Sequence, residues 1–148
     1  MKAVIQRVLS ASVSINGEQI SHINQGLLIL LGVENEDDAS DLDYLVKKTA
    51  GLRIFKDKDN NMNLSIQDVG GEVLVVSQFT LCADTKRGRR PSFIHAAPPS
   101  VADSVYQKYC EKLRANNILV KTGKFGEMME VQLINDGPVT ILLNSNER

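Results

Sequence analysis

Two short stretches of the chain combine residue types suited to ester chemistry. Ser77-Gln78-Phe79-Thr80-Leu81 follows an apolar run, and Gly137-Pro138 interrupts a second strand-like region. Ester hydrolysis needs an attacking oxygen and donors for the developing oxyanion, and the backbone N–H groups of a strand end can be those donors. Proline has no N–H for a sheet ladder, so a Gly-Pro step inside a strand needs a special reason. Each stretch alone would be an ordinary polar strand end or an ordinary turn.

Both stretches together, in this order and in a chain of 148 residues, resemble the signature motifs of the D-aminoacyl-tRNA deacylase family. The resemblance covers the whole chain and includes the segments 3–8, 86–93 and 96–99. It implies hydrolysis of the ester that joins a D-amino acid, or glycine, to tRNA. It also implies a homodimer with its two active sites at the subunit interface, with aminoacylated tRNA as partner and no cofactor.

The resemblance also implies roles for individual residues. Gly137 and Pro138 would be joined by a cis bond, face the partner subunit's pocket and exclude L-amino acids. Arg7 has two open interpretations, since it either pins the Gly-Pro loop or forms a surface salt bridge. The implied catalytic pocket is lined by Ser77, Gln78, Phe79 and Thr80. The resemblance implies that backbone N–H groups around Phe79 and Thr80 face the substrate carbonyl.

The chain offers no conventional catalytic triad or metal site. His22 and His95 are the only histidines, and neither lies in a nucleophile motif, so we expect them in a hairpin and a surface loop. Cys82 and Cys110 lack CxxC spacing and read as reduced thiols without a metal. The hydroxyl of Thr80 either attacks the ester or positions the carbonyl or water while a neighbouring ribose hydroxyl of the tRNA assists. We favour the second mechanism, because no base to activate the hydroxyl is evident.

Charge is spread unevenly along a chain whose formal net charge is only −1. The near-neutral total argues against broad coating of nucleic acid, and no DNA partner is expected. Four cations nevertheless crowd into five residues after the first motif, and we predict that they bind tRNA phosphates. Their alternative interpretation is a solvated loop. The four cations are Lys86, Arg87, Arg89 and Arg90.

Two other functions compete with the deacylase. A non-catalytic tRNA- or RNA-binding module would use the cationic loop, but the chain has only three Tyr, four Phe and no Trp for base stacking. A general esterase would cleave small activated esters without tRNA.

Composition predicts one globular domain over residues 1–148, with 43% hydrophobic residues to build a core. No apolar stretch approaches the ~20 residues that cross a bilayer. We therefore expect a soluble, cytoplasmic protein without a membrane partner.

Periodicity and turn signals predict an α+β domain, a curled, largely antiparallel and barrel-like sheet with two helices and no βα alternation. Asn16-Gly17 predicts a hairpin turn, and Ser100 to Asp103 resembles a capping box for the second helix. That helix should bury Val101, Val105, Tyr109 and Leu113. The predicted strands are 2–9, 12–15, 18–22, 26–33, 53–55, 72–81, 118–122, 127–135 and 139–143, and the predicted helices run over 39–52 and about 100–116.

Overall fold

A computed structural model describes all 148 residues of the chain. Its two helices and its curled sheet confirm the predicted α+β architecture. Neither helix combines the length and the apolar character needed to cross a membrane. The elements are β1 (Lys2–Ile15), β2 (Glu18–Ile23), β3 (Gly26–Gly32), α1 (Ala39–Gly51), β4 (Phe55–Lys56), β5 (Met62–Leu64), β6 (Glu72–Ser77), α2 (Pro99–Ala115), β7 (Leu119–Thr122) and β8 (Glu130–Asn144), with 3-10 turns at Phe79–Cys82 and Ser145–Glu147.

The main sheet has the order β2-β1-β3-β6-β7, and β8 pairs with the other side of β1. The first half of β1 pairs with β3 and its second half with β2. The register of β1 against β8 shifts around Val8, and such bulges bend a strand and increase its twist. The bend lets the sheet curl over a second small core that contains Val8, Ala11 and Leu74.

Two strand pairings are parallel, and this corrects the expectation of no βα alternation. β3 pairs with β6 and β6 with β7 in parallel, joined across α1 and α2. Parallel neighbours need a long crossover connection, which is usually a helix. The continuous apolar runs of β3 and β6 are typical of strands buried on both faces, and here the helices cover one face while the curled sheet covers the other.

The two helices cover one face of the sheet and form the larger core. In α1 the predicted positions Leu42, Leu45, Val46 and Thr49 are buried, and Asp38 caps the helix. The capping box predicted at Ser100 is wrong, because Pro98 is the N-cap and Pro99, which needs no N–H partner, begins the helix. Tyr109 and Leu113 are buried as predicted, whereas Val101 is half exposed and Val105 only partly buried. The buried residues of α2 are Ala102, Tyr106, Tyr109, Cys110 and Leu113.

Several predicted boundaries were wrong because long strands continue through bulges. Segments 2–9 and 12–15 form the single strand β1, and segments 127–135 and 139–143 merge into β8, which begins only at Glu130. The strand predicted over 53–55 begins instead at Phe55, where it pairs with the unpredicted β5. The hairpin turn is confirmed, since Asn16 and Gly17 both have positive φ.

Candidate active site

Three parallel strands end together and bring three loops to one edge of the sheet. Leu31 of β3 lies beside Ser77 of β6, and Val75 of β6 lies beside Thr122 of β7. Ligands of such sheets bind outside the carboxyl ends of the strands, where loops can reach a common point. The first sequence motif therefore lies at the edge best suited to hold a substrate.

The residues after Ser77 form a 3-10 turn, Phe79–Cys82, rather than the predicted end of a strand. Gln78 donates its N–H to the Leu31 carbonyl at 2.8 Å, which ends the ladder, and the turn then packs onto Gly32. A Cβ on Gly32 would lie 3.0 Å from the Leu81 Cβ. The first N–H groups of a helical turn have no partner inside it. The first N–H groups of this turn, including that of Phe79, therefore have no hydrogen-bond partner within it.

The hydroxyl of Thr80 is held by a donor and not by a base. The Gln78 side-chain amide donates to the Thr80 Oγ1 at 2.5 Å, and both residues lie at the surface edge of the turn. An amide N–H occupies a lone pair of the hydroxyl and cannot remove its proton. His22 lies in the β1–β2 hairpin and His95 in a surface loop, as predicted. This arrangement favours Thr80 as a positioning group over Thr80 as a nucleophile.

The cationic loop contacts the 3-10 turn through two aromatic rings. Asp84 and Ser92 exchange backbone hydrogen bonds of 2.8 and 2.9 Å, which close the loop between them. Next to Ser92, the ring of Phe93 packs edge-on against Phe79 with centroids 5.0 Å apart. All four cations of this loop are exposed, and they are Lys86, Arg87, Arg89 and Arg90.

Gly137 and Pro138 lie exposed in a bulge of β8, and the peptide bond between them is cis. Four residues of β8 face the single residue Arg7 of β1, since Gln6 pairs with Thr140 and Val8 with Asn135. The Asn135 side chain closes the bulge by accepting the Val139 N–H at 2.7 Å and donating to its carbonyl at 3.1 Å. Gly137 has φ of +140°, which disfavours any residue with a side chain.

Arg7 is 1% exposed and is the largest side chain among the fully buried ones. Its Nε donates to the Asp136 carbonyl at 3.0 Å and pairs with the Asp136 carboxylate at 3.1 Å. Its guanidinium also donates to the Ile54 carbonyl. Of the two interpretations of Arg7, the structure favours the pin that holds the Gly-Pro bulge.

A single chain does not bring the two motifs together. Gly137 lies beside Arg7, which pairs with Leu27, whereas Ser77 pairs with Leu31 on the same strand β3. The offset is roughly 13 Å along the strands and roughly 14 Å across three strand spacings. The motifs of one chain are therefore on the order of 20 Å apart on the sheet.

The sequence reasoning missed the loop of residues 123–129, which follows β7 at the same edge. Gly123 donates its N–H to the Val75 carbonyl at 2.9 Å, and Phe125 packs against Tyr106 of α2. The signal that could have found this loop is the parallel β6–β7 pair, which sequence periodicity alone does not reveal. A cavity of about 300 Å³ is lined by Leu81 of the turn and by Leu142 of β8, among other residues.

Both thiols are buried and free. Cys82 is the last residue of the turn and donates to the Val33 carbonyl at 3.5 Å, and its burial raises the pKa of the thiol. Burial also raises the pKa of Cys110 to about 11. Neither thiol is the thiolate that nucleophilic chemistry requires. No group of three or more His, Cys, Asp or Glu side chains is arranged to hold a metal ion.

Comparison with known proteins decides the family. Residues 4–144 match the family model described as D-Tyr-tRNA(Tyr) deacylase. The chain belongs to this family. The enzyme class predicted from the sequence, a hydrolase of carboxylic esters, is thereby confirmed.

Similar proteins match along the full length. A D-aminoacyl-tRNA deacylase of Natranaerobius thermophilus is 54% identical over 100% of this chain and 99% of that protein. One of Chloroflexus aurantiacus is 56% identical over 99% and 92%. A solved c-Myc DNA Unwinding Element Binding Protein is 44% identical with a TM-score of 0.92, covering 97% of this chain and 98% of that one. A probable eukaryotic D-amino acid tRNA deacylase, at 16% identity, TM-score 0.81 and coverage of 96% and 97%, shares the fold.

Proposed function

We propose that the enzyme hydrolyses the ester bond of D-aminoacyl-tRNA and releases tRNA and the free amino acid, as a cytoplasmic quality-control step of translation. Family membership supports this activity. One observation carries the proposal for the site: the turn that begins after Ser77 lies where three strands end, beside an exposed cationic loop. A reacting ester and a polyanion can be held there side by side.

In the proposed mechanism the backbone N–H groups of Phe79 and Thr80 stabilise the oxyanion. The Thr80 hydroxyl, which accepts from Gln78, turns its own proton outward to orient the carbonyl or the attacking water. A neighbouring ribose hydroxyl of the terminal adenosine assists, so that the protein supplies position and charge stabilisation and no base.

The Thr80→Ala variant separates this mechanism from nucleophilic attack. Loss of a positioning hydroxyl should lower the single-turnover rate on D-tyrosyl-tRNA by about tenfold to a hundredfold, because one hydrogen bond to a charged group contributes ~1.5–3 kcal/mol. Thr80→Ser, as the matched control, should retain most of the rate. Complete loss in Thr80→Ala, or an acyl group trapped on Thr80 of the native enzyme, would establish the nucleophile instead.

The proposal for tRNA binding rests on the exposed loop that Asp84 and Ser92 close. Its cations lie within a few residues of Phe93, which contacts the catalytic turn. Phosphates near the acceptor end of tRNA are the ligand class that such a loop fits.

The proposed chirality filter is the backbone at Gly137 and Pro138. Pinned by Arg7 and lacking a side chain at Gly137, this step can approach the α-carbon of a substrate closely. The side chain of an L-amino acid would collide with it, a D side chain would point away, and glycine would fit. The filter therefore predicts little dependence on the D side chain and acceptance of glycyl-tRNA.

A homodimer is proposed because one chain keeps its Gly-Pro step on the order of 20 Å from its own turn. In the dimer the filter of each subunit would reach the turn of the other. β8 is an edge strand with a free pairing side, and its Leu142 is 76% exposed and lines the cavity beside Leu81. A second copy would cover these apolar side chains.

Mixed dimers test this assembly. Thr80→Ala and Gly137→Ala chains, unfolded together and refolded, should form dimers in which one site carries both changes and the other carries neither. Rate and selectivity should then recover in part relative to either variant alone. A monomer in sedimentation at micromolar concentration, or no recovery in the mixture, contradicts the shared site.

A second candidate function is non-catalytic nucleic-acid binding, which is favoured by the similarity to the c-Myc DNA Unwinding Element Binding Protein. Incubation of the purified protein with D-tyrosyl-tRNA distinguishes the two. An ester that remains intact at protein concentrations that saturate binding supports the binding module, whereas release of the amino acid at catalytic protein concentration supports the deacylase.

A further inference from the structure

The backbone hydrogen bonds between β6 and β7 stop before β6 reaches Ser77, at the edge of the sheet where the proposed site lies. Val75 and Thr122 form that last pair, and Gly123 then donates to the Val75 carbonyl at 2.9 Å. The chain that leaves β6 at Ser77 must still keep a fixed distance from the loop that leaves β7. A substrate held between them requires that distance to be fixed.

The side chain of Tyr106, on α2, links β6 to the loop that follows β7. Its hydroxyl donates to the same Val75 carbonyl at 2.8 Å, so that both lone pairs of this oxygen are occupied. The carbonyl belongs to the peptide unit that joins Val75 to Val76, one residue before Ser77. A carbonyl fixed by two donors holds the orientation of this peptide unit.

The ring of Tyr106 also holds the second loop. Its centroid lies 6.0 Å from that of Phe125 with the planes tilted by 50°, a geometry in which aromatic pairs attract. One side chain therefore contacts both segments that flank the catalytic edge, β6 through its hydroxyl and the 123–129 loop through its ring.

The hydroxyl of Tyr106 acts as a permanent donor. The residue is 2% exposed, and burial raises the pKa of the phenol far above its ordinary value of 10.0. The hydroxyl therefore stays protonated wherever the protein is folded, and carbonyl oxygens can only accept.

We propose that Tyr106 is a positioning residue for the deacylation reaction, acting through the Val75 carbonyl on Ser77 and through Phe125 on the 123–129 loop. This role rests on the proposed site at the Ser77 end of β6. The contacts that carry this role are those of Tyr106 with Val75 and Phe125, and Tyr106 is therefore a positioning residue and not a catalytic one.

The same helix offers a matched control. Tyr109 is also buried, at 0% exposure, and its hydroxyl shares a 2.6 Å hydrogen bond with Thr49 of α1, in the core between the helices. Tyr106→Phe and Tyr109→Phe each remove one buried hydroxyl from α2 and should lower Tm by similar amounts. Only Tyr106→Phe should disturb the catalytic edge.

The measurement is single-turnover hydrolysis of D-tyrosyl-tRNA over a range of enzyme concentrations. Tyr106→Phe should lower the maximal rate on the order of tenfold, since small displacements of reacting groups have effects of this size or more. The half-saturating enzyme concentration should stay within about twofold, because the cationic loop is untouched. Tyr109→Phe should keep the native maximal rate.

Equal maximal rates for Tyr106→Phe and the native enzyme, or an equal loss in Tyr109→Phe, would overturn the proposal. If Tyr106→Phe does not fold, Phe125→Leu removes the ring contact from the loop side, and an unchanged rate in that variant would equally contradict it. Thr80→Ala serves as the reference for the site itself. Should Thr80→Ala leave the rate unchanged, the proposed site is refuted, whereas a slow Thr80→Ala beside a Tyr106→Phe with the native rate refutes only the role of Tyr106.

Discussion

Replacing Arg7 by methionine should both destabilise the protein and weaken its selection of D-substrates. Methionine matches the length of the arginine stem but donates no hydrogen bond. The Ile54 carbonyl, buried with Arg7, would lose its donor, and the Asp136 carboxylate and carbonyl would lose theirs. The sequence left open whether Arg7 pins the Gly-Pro loop or forms a surface salt bridge. Because Arg7 is buried, its replacement distinguishes the two interpretations.

The cost follows from these contacts. A buried carbonyl left without a donor costs ~1–3 kcal/mol, and the broken ion pair adds about 1 kcal/mol, discounted because the Asp136 side chain is 33% exposed. The total is about 3 kcal/mol, which corresponds to a fall in Tm of roughly 6–12 °C for a domain of this size. Because the free energy of unfolding of an ordinary domain exceeds this loss, the Arg7→Met variant should stay folded at 25 °C.

Urea unfolding and paired hydrolysis assays on D- and L-tyrosyl-tRNA measure the two effects of Arg7→Met. We expect the D-over-L ratio of rates to fall about tenfold, because the bulge at Gly137 loses its anchor. Arg53→Met is the control, since Arg53 is exposed and donates to the Asn63 carbonyl at 2.8 Å. A stability loss below ~1 kcal/mol together with an unchanged ratio would refute the pinning role of Arg7.

Three further predictions follow from single contacts. Gly32→Ala should push the 3-10 turn outward, since the new Cβ would lie 3.0 Å from the Leu81 Cβ, and should cost ~1–3 kcal/mol in urea unfolding along with activity; native stability would contradict the packing. In the double variant Arg87→Gln/Arg89→Gln, the slope of the logarithm of the tRNA-binding constant against log salt concentration should fall in magnitude by about two. An unchanged slope in filter binding would show that the loop is solvated surface and does not bind phosphates. Hydrogen bonds from Ser40 lower the pKa of Asp38 below 3.8. The contribution of Asp38 to stability is therefore full above pH about 4 and is lost as pH falls through the lowered pKa. Between pH 7 and pH 3, the Asp38→Asn variant should lose less stability than the native protein loses.

Local patterns predicted the elements that local forces determine. The apolar positions of α1 recur at helical spacing, and Leu42, Leu45 and Thr49 are buried as expected. Asn16-Gly17 needs positive φ at both residues, and the hairpin turn forms there. Such features depend on neighbours within a few residues, which a sequence displays directly.

Features that depend on distant partners were not predicted. The parallel pairing of β3, β6 and β7 is decided by packing of α1 and α2 onto the sheet, and with it the place of the 123–129 loop beside Ser77. The motif at Ser77 was identified, but its 3-10 turn depends on contact with Gly32, which is 45 residues earlier in the chain. The burial of Arg7 likewise depends on Ile54 and on the bulge of β8.

The relative rates of hydrolysis of D-tyrosyl-tRNA and L-tyrosyl-tRNA, measured with the same preparation of native enzyme, test the central claim most directly. A backbone filter that imposes a clash of about 3 kcal/mol or more on the L-substrate predicts that the D-ester is hydrolysed at least about a hundredfold faster. Glycyl-tRNA should be hydrolysed as well, since glycine has no side chain to collide. Equal rates on the D- and L-esters, or no hydrolysis of either, would contradict the account.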